Sequence, residues 1–209
     1  MRITDIKPQK RRAQRDSVYV DGSYAFGLDR ESTVKLGLKV GDELRPATLE
    51  RIQGELARRS ALDAALRLLS YRGRSRREIT DRLKRRGVSE ELIEQTCERL
   101  VELGLLDDRR FAETLARDRI EFGRKGAHRI RTELRRKGVA QPLIDHALAE
   151  AGGEEPAARA LLDRVGRRYV GLEPRERYRK LHDLLLRRGF TFETVDRVLS
   201  RAERDAADE

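Results

Sequence analysis

The stretch LKRRGV (Leu83–Val88) decides how this chain folds, because it returns as LRRKGV (Leu134–Val139) and again as LLRRGF (Leu185–Phe190). The glycines of the three copies follow one another at an interval of 51 residues (138 − 87 and 189 − 138). A glycine directly after a basic helical segment is the residue that most often ends an α-helix in the left-handed conformation. The pattern therefore predicts three helices that end in the same way.

The same interval relates the apolar positions around each glycine, which are spaced four residues apart as on the inner face of a helix. The matching sets are Ile79 with Ile130 and Leu181, Leu83 with Leu134 and Leu185, Ile93 with Ile144 and Val195, and Cys97 with Leu148 and Leu199. Inward positions and helix ends thus recur in one register, which predicts a repeated supersecondary unit. A further helix is expected before each pair, at about Ala61–Arg72, Arg109–Phe122 and Pro156–Val170.

Local capping signals support this register. Ser75 and Glu78 form a capping-box pattern, in which the serine accepts a backbone N–H and the glutamate reaches back. Ser60 is predicted to cap the helix before this one, and Ser89 the helix after it. Each repeat is therefore predicted to contain three helices.

The first 46 or so residues have a pattern typical of β-structure. VYVDGSYAF (Val18–Phe26) places two β-favouring runs around Asp21-Gly22, which is the strongest short signal for a hairpin. Ile3–Ile6 is predicted to add a strand, separated from the hairpin by the basic run Lys10-Arg11-Arg12. Because an isolated hairpin is marginal, we expect the segment to pack on a helix as well.

A short helix at about Arg30–Leu36, ending at Gly37, and an extended LKVGDEL segment would complete a small α+β cap. The predicted fold class is mainly α: an elongated tandem array of three-helix repeats with a small N-terminal α+β cap that contains the β-hairpin. The predicted ranges are 1–58 for the cap and its connecting helix, then 59–106, 107–152 and 153–209 for the three repeats.

The charge of the chain indicates an anionic partner. Lysine and arginine number 47 against 37 acidic residues, so the formal net charge is +10 and the isoelectric point is near 10.1. Nucleic acid, a nucleoprotein or an anionic surface fits this excess. A basic but merely solvated surface is the alternative that composition leaves open.

Cysteine usage and hydropathy indicate the compartment. The single cysteine, Cys97, excludes an intramolecular disulfide, and its apolar register position predicts a buried filler. No apolar run approaches the roughly 20 residues that span a bilayer, and the N-terminus lacks the hydrophobic stretch of a signal peptide. We expect a cytoplasmic protein that does not bind membranes.

Residues that would carry catalysis or bind a cofactor are not arranged in a known pattern. The three histidines, His128, His146 and His182, lack metal-ligand spacing, and no glycine-rich phosphate loop or nucleophile elbow is present. The acidic pair Asp107-Asp108 precedes a helix, where N-capping explains it. We expect no enzymatic activity, no cofactor and no metal.

The basic residues do form a pattern. One cation near a helix C-terminus stabilises the helix dipole by roughly 0.3–1 kcal/mol, but this chain places two or three there in every repeat. We expect these groups to face outward and bind a polyanion, although dipole stabilisation explains any one of them equally well. The candidate binding residues are Arg72, Arg74, Arg76, Arg77, Lys84, Arg85, Arg86, Arg124, Lys125, Arg135, Arg136, Lys137, Arg187 and Arg188.

A helix-turn-helix DNA reader is a competing interpretation, because a glycine turn separates the second and third helices of each repeat. A reading helix presents its N-terminal side chains to base edges between phosphates. The third helices carry carboxylates there, which the DNA backbone repels: Glu90, Glu91 and Glu94 in the first repeat, Asp145 in the second, and Glu193 and Asp196 in the third. The charge sign therefore disfavours this interpretation.

Several longer segments resemble the RecX family of bacterial recombinase regulators. They are RSRREI (Arg74–Ile79), LVELGLLDDRRFAE (Leu100–Glu113) and the I-x-x-E-L-R-R-K-G pattern from Ile130, in the family's order. The opening VYVDGSYAFGLD and LGLKVGDEL resemble the N-terminal extension of longer members. Gly73 departs from the family, where proline is common at that position.

The resemblance implies a non-enzymatic modulator of the RecA recombinase, active in DNA repair and recombination. Members of the family are arrays of three-helix repeats that lie in the groove of the RecA–DNA filament, where they hinder filament growth, ATP turnover, strand exchange and co-protease activity. The expected partners are the RecA filament and DNA, and a monomer is expected. A general DNA-binding helical protein that acts without RecA remains the alternative.

Overall fold

A computed structural model of the protein describes residues 1–9 and 12–207, so Lys10 and Arg11 of the predicted basic run lie outside the described residues. The chain forms two compact units, which are described separately below. One contains Met1–Arg67 and Leu83–Thr96, and the other contains Leu68–Arg82 and the chain from Cys97 onward.

The N-terminal cap contains a three-stranded antiparallel sheet. Its strands are β1 (Ile3–Gln9), β2 (Arg12–Val20) and β3 (Ser23–Asp29), in the spatial order β1-β2-β3. Asp21 has φ 48° and Gly22 has φ 80°, the two positive values that a tight hairpin turn of this kind requires. The predicted hairpin and the additional strand are confirmed.

A short helix, α1 (Arg30–Lys35), follows β3 and begins at Asp29, whose carboxylate accepts the Ser32 N–H at 2.8 Å. It stops before Gly37, as predicted. The LKVGDEL segment does not form a strand. It meets the start of the chain through an isolated bridge between Arg2 and Glu43 and through backbone hydrogen bonds to Met1 and Ile3.

The next helix, α2 (Pro46–Tyr71), is longer than the sequence predicts. The expectation that it starts at Ser60 is wrong, because Pro46 opens the helix and no break follows. Leu49, Ile52 and Leu56 pack on the core of the cap, with Ile52 only 1 % exposed. This apolar contact stabilises the first turns of α2. Because the residues of these turns are mostly polar, the sequence alone does not predict that they are helical.

The rest of the chain is helical, in the predicted three-helix order. The second helices of the repeats end one to three residues before the glycines that are spaced 51 residues apart, and the third helices follow each glycine. The elements are α3 (Arg76–Lys84), α4 (Glu90–Glu102), α5 (Asp108–Glu121), α6 (Ala127–Arg136), α7 (Gln141–Glu150), α8 (Glu155–Gly166) with a 3-10 turn at Arg167–Tyr169, α9 (Pro174–Arg188) and α10 (Phe192–Ala207).

The inward positions match the predicted register. Ile130, Leu134 and Ile144 belong to one apolar core, in the second repeat, and Leu181, Leu185, Val195 and Leu199 belong to another, in the third. The first-repeat counterparts, including Cys97, are buried as well. Leu148 departs from the register because it is only half-buried.

Among the described residues, no helix combines the length and the apolar character needed to cross a membrane.

Candidate functional site

Candidate binding residues lie at the ends of α3, α6 and α9, which we call the basic corners: Lys84–Gly87, Arg135–Gly138 and Leu186–Gly189. The first belongs to one compact unit, and the second and third belong to the other. Each corner closes on a glycine in the left-handed conformation, with φ of 76°, 77° and 86° in chain order. Such a glycine lets the following N–H groups satisfy the carbonyls of the last turn, and the carbonyls next to the glycine or on it point outward and can accept other donors. The corners therefore present cations and backbone acceptors together.

One register position holds an exposed arginine in all three basic corners. It is occupied by Arg85, Arg136 and Arg187, which we call the central arginines. The next position differs between repeats, since Arg86 is exposed whereas Lys137 and Arg188 are half-buried. The outward orientation predicted for every basic residue thus describes the central arginines but not the residues that follow them in the second and third repeats.

Lys137 in the second basic corner is half-buried because this corner docks on the start of α3. The Ser75 hydroxyl donates to the Lys137 carbonyl at 2.6 Å, and the Lys137 ammonium lies 3.0 Å from a carboxylate oxygen of Glu78. Gly138 allows this approach, because a Cβ built there would stand 2.4 Å from the Cδ of Arg77. The corner of the second repeat therefore joins it to the helix start of the first.

The third basic corner docks on the start of α6 in the same manner. The Gly126 N–H donates to the Arg188 carbonyl and the His128 N–H to the Gly189 carbonyl, both at 3.0 Å. Helix dipoles favour this end-to-end contact, since free carbonyls meet free N–H groups. The repeated sequence pattern therefore produces the same contact twice. We call the contact of the α6 end with the α3 start the first joint, and the contact of the α9 end with the α6 start the second joint.

A buried carboxylate reinforces this second joint. Glu154 is 8 % exposed, and its two oxygens accept the backbone N–H of Ala127 and of Thr191, each at 2.6 Å. These N–H groups open α6 and α10, so one side chain caps helices of two repeats. Sequence reasoning missed this residue because its partners lie 27 and 37 positions away.

Glu78 is the acidic centre of the first joint. It completes the predicted capping box with Ser75, and it also accepts hydrogen bonds from Arg72 at 2.7 Å and from Lys137. Partial burial alone would raise the pKa of Glu78, but these hydrogen bonds and the two cations outweigh it and lower the pKa from 4.5 to about 2. Glu78 therefore stays ionised in the folded protein.

Replacing Glu78 by glutamine should lower the free energy of unfolding at pH 7 by about 1–3 kcal/mol, since two cations lose their carboxylate. The folded-state pKa lies below the unfolded value, so the advantage of the wild type is complete above about pH 4.5 and is lost as the pH falls toward about 2. Denaturant titrations of both proteins at pH 7 and about pH 3 measure this. A difference that does not shrink with pH would contradict the assigned ion pairs.

Other predicted cations at the start of α3 also have internal partners. Arg72 pairs with Glu78, the Arg74 Nε donates to the Leu68 carbonyl at 3.0 Å, and the Arg77 Nε lies 3.9 Å from Asp81.

The Arg76 backbone N–H donates to Asp108 at 2.7 Å. Burial, outweighing that hydrogen bond, raises the pKa of Asp108. Asp107 caps α5, as predicted.

The remaining predicted cations differ in whether their side chains have a partner within the protein. Lys84 pairs with Glu90 at 2.6 Å, and Lys125 with Glu133 at 3.2 Å. The Arg135 Nε donates to the Gln141 amide oxygen at 2.9 Å. Arg124 adopts φ 44°, and its Nε is buried without a hydrogen-bond partner among the described residues.

Several of these cations meet in one groove along α3, α6 and α9, which we call the cationic groove. Its volume is about 790 Å³. Six of its lining residues are cations and three are acids: Arg77, Lys125, Arg129, Arg136, Lys137 and Arg187 against Glu78, Asp81 and Glu133. Two of the central arginines thus line the same surface, and its net charge is positive.

Arg129 is a groove residue that sequence reasoning missed. It lies seven residues before Arg136, a spacing that places both on one helix face and could have identified it. A second cleft, of about 630 Å³, combines Arg72, Arg74 and Lys137 with the unpredicted Arg110 and Arg119, and Phe111 contributes apolar surface to its wall.

The remaining chemical signals are separate from these surfaces. Within residues 1–9 and 12–207, no group of three histidine, cysteine or acidic side chains is arranged to hold a metal. At the third helices, Glu90 is 84 % and Glu193 80 % exposed, so carboxylates stand where a DNA-reading helix would meet phosphates. The geometry disfavours helix-turn-helix reading.

Comparison with known protein families identifies consecutive matches along the chain. The models described as the regulatory protein RecX N-terminal domain and the RecX first, second and third three-helix domains match residues 1–45, 61–100, 107–148 and 154–199.

Individual relatives extend over most of the chain. "Regulatory protein RecX" of Lactobacillus delbrueckii subsp. bulgaricus is 32 % identical, covering 90 % of this chain and 70 % of the relative. The protein of the same name from Bacillus subtilis is 30 % identical, covering 96 % and 77 %.

Two solved structures have the same fold. A crystal structure of regulatory protein RecX superimposes with a TM-score of 0.77 at 29 % identity, over 95 % of this chain and 98 % of that one. The structure of RecX from Lactobacillus salivarius has a TM-score of 0.65 at 25 % identity, over 70 % and 97 %.

Proposed function

Because this chain belongs to the RecX family of regulatory proteins, we propose that it binds the filament that RecA forms on DNA and inhibits the activities of that filament. The relatives are named regulators, which supports a role without catalysis. We further propose that the protein acts as a cytoplasmic monomer and needs no cofactor.

The cationic groove is the observation that carries this proposal. Arg136 and Arg187 are exposed there, while Lys125 and Lys137 keep internal carboxylate partners. Exposed arginines bind phosphates through a planar, always charged group, and a groove lined by residues of all three repeats suits a partner that is itself extended. A nucleoprotein filament supplies both the charge and the length.

Inhibition follows from occupancy. A protein held at several points on a helical lattice binds more tightly than any single contact allows, because the later contacts form within the complex. A ligand that binds one arrangement of neighbouring RecA protomers better than others shifts the filament toward that arrangement. ATP turnover that depends on motion between protomers then slows.

Adding the purified protein to RecA on single-stranded DNA should reduce steady-state ATP hydrolysis at least threefold when the protein approaches filament stoichiometry. The physical reason is that the bound protein restrains the protomers that must rearrange during turnover. ATPase activity measured against protein concentration checks this. Unchanged hydrolysis by RecA, with a correctly folded protein, would overturn the proposed function.

A general DNA-binding protein that acts without RecA is the second candidate, and the positive charge of the cationic groove favours it equally. Comparing affinity for bare and RecA-coated single strands in the same buffer separates the two. A filament regulator prefers the coated strand. A general binder shows no preference and loses affinity steeply with salt, as counterions are released from DNA.

A further inference from the structure

Two of the three basic corners are occupied within the molecule, and the occupant is the same kind of structure in both. The second corner receives the start of α3 at Ser75, and the third receives the start of α6 at Gly126. In both joints a small residue opens the helix, and its hydroxyl or N–H donates to a corner carbonyl. The molecule thus shows twice which ligand this corner binds.

The glycine of each occupied corner lies flush against its ligand. A Cβ built on Gly138 would stand 2.4 Å from the Arg77 side chain, and one built on Gly189 would stand 2.7 Å from the Arg129 backbone nitrogen. Such contacts are shorter than packed atoms tolerate. The absence of a side chain is therefore a requirement of docking in these two corners.

The first basic corner repeats the sequence but not the contact. A Cβ built on Gly87 would have no atom within 4 Å, and Lys84, Arg85 and Arg86 are exposed. The left-handed glycine, with φ 76°, is nevertheless the same as in the occupied corners. The elements that the structure describes before α3 are the three strands, α1 and α2, which do not form a three-helix repeat.

A second copy of the chain does not fit this corner. The starts of α3 and α6 are already used, which leaves the start of α9. The register position that matches Gly126 in the third repeat is Arg177 (126 + 51), whereas α9 already begins at Pro174. The extra helical turn fills the docking position with side chains, and Pro174 has no N–H to donate.

We propose that the first basic corner (Lys84–Gly87) docks the start of a helix in a protein partner, and that this partner is a protomer of the filament. The chemistry of the two internal joints defines the ligand. It is a helix that begins with glycine or serine and donates an N–H or a hydroxyl to a corner carbonyl. The first joint adds an acidic residue in the first turn, Glu78, which meets Lys137, and the counterpart of Lys137 in the first corner is Arg86.

This inference rests on the proposed function and assigns different partners to the first basic corner and to the cationic groove. The first corner contacts protein, while the exposed arginines of the cationic groove contact phosphate.

Gly87→Lys tests this assignment, because a protein partner and a phosphate partner predict opposite changes in affinity. An added lysine strengthens binding to phosphate but places a side chain where a docked helix must lie flush. We expect affinity for RecA-coated single strands to fall at least tenfold, and affinity for bare single strands to stay equal or rise. Fluorescence anisotropy with labelled DNA, bare and coated, measures both affinities.

Gly152→Lys is the matched control. Gly152 is also exposed and left-handed, with φ 79° and open space around a built Cβ, but it lies after α7 and not at a basic corner. It carries the same backbone strain and added charge, and we expect it to bind coated strands like the wild type. Gly87→Asn, which adopts the left-handed conformation more readily, replaces Gly87→Lys if the latter loses helicity.

The outcomes separate the inference from the proposed function. Wild-type protein that binds coated strands, together with Gly87 variants that bind them as tightly as Gly152→Lys, overturns the inference alone. Wild-type protein without preference for coated strands overturns both. A tenfold loss confined to the Gly87 variants and to coated strands supports the protein-docking corner.

Discussion

Gly126→Ala should lower the free energy of unfolding by about 3 kcal/mol or more, a large effect for the addition of one methyl group. The added Cβ would stand 2.0 Å from the Phe190 nitrogen and 2.1 Å from the Gly189 carbonyl carbon. Both are backbone atoms, so no side-chain rotation relieves the overlap. The corner of α9 must move away from α6.

That movement breaks the joint between the second and third repeats. The N–H groups of Gly126 and His128 lose the carbonyls that now accept them at 3.0 Å. Glu154, which bonds Ala127 on one side and Thr191 on the other, can then keep only one of these partners. Loss of bonds to a buried carboxylate adds to the cost of the clash.

Gly166→Ala is the control, because it makes the same chemical change in open space. No atom lies within 4 Å of a Cβ built there, and the backbone is helical, with φ −53°. Alanine should raise stability at this position by up to about 1 kcal/mol. Denaturant unfolding followed by far-UV circular dichroism compares the two, since the chain has no tryptophan. Equal stability of the two variants would contradict the close joint at Gly126.

The repeat could be predicted from sequence because its determinants are local. Ile79 and Leu83 follow helical spacing, Ser75 and Glu78 form a capping box, and Gly87 ends the helix. Each signal acts within about four residues, which is the range over which helix propensity, capping and periodicity operate. The same holds for the Asp21-Gly22 turn in the cap.

Contacts over a longer range could not be predicted in this way. Lys137 looks like any cation at a helix end, and only the fold brings it to Glu78, 59 positions away. The start of α2 was missed for a related reason, since its early turns depend on packing against the N-terminal sheet. Periodicity within one segment carries no information about the surface that the segment meets.

The candidate site was predictable to the same extent. The interval of 51 residues aligns Arg136 with Arg187, and both prove to be exposed in one groove. It equally aligns Arg86 with Lys137 and Arg188, whose environments differ because only the latter two corners are docked. Equivalent residues in a repeat therefore share local structure, while their availability to a partner depends on the neighbouring repeat.

Reversing the charge of both exposed groove arginines, Arg136→Glu with Arg187→Glu, should weaken binding to bare DNA about a hundredfold at low salt. Each change replaces a phosphate contact by repulsion. The two lysines of the groove cannot compensate, because they form ion pairs with Glu133 and Glu78. The slope of log affinity against log salt concentration should become shallower by about 1.8 on duplex DNA, or about 0.9 per lost phosphate contact.

The control reverses two exposed arginines outside the groove, Arg117→Glu with Arg164→Glu, on α5 and α8. Both double variants change the formal net charge by four, from +10 to +6, so long-range attraction to DNA falls equally. Only the groove variant should lose the salt-dependent contacts. Because Gly87 and its neighbours are unchanged in both, RecA-coated strands should retain more affinity for the groove variant than bare strands do. Identical salt slopes for the two variants would show that the groove arginines contribute net charge and no phosphate contact.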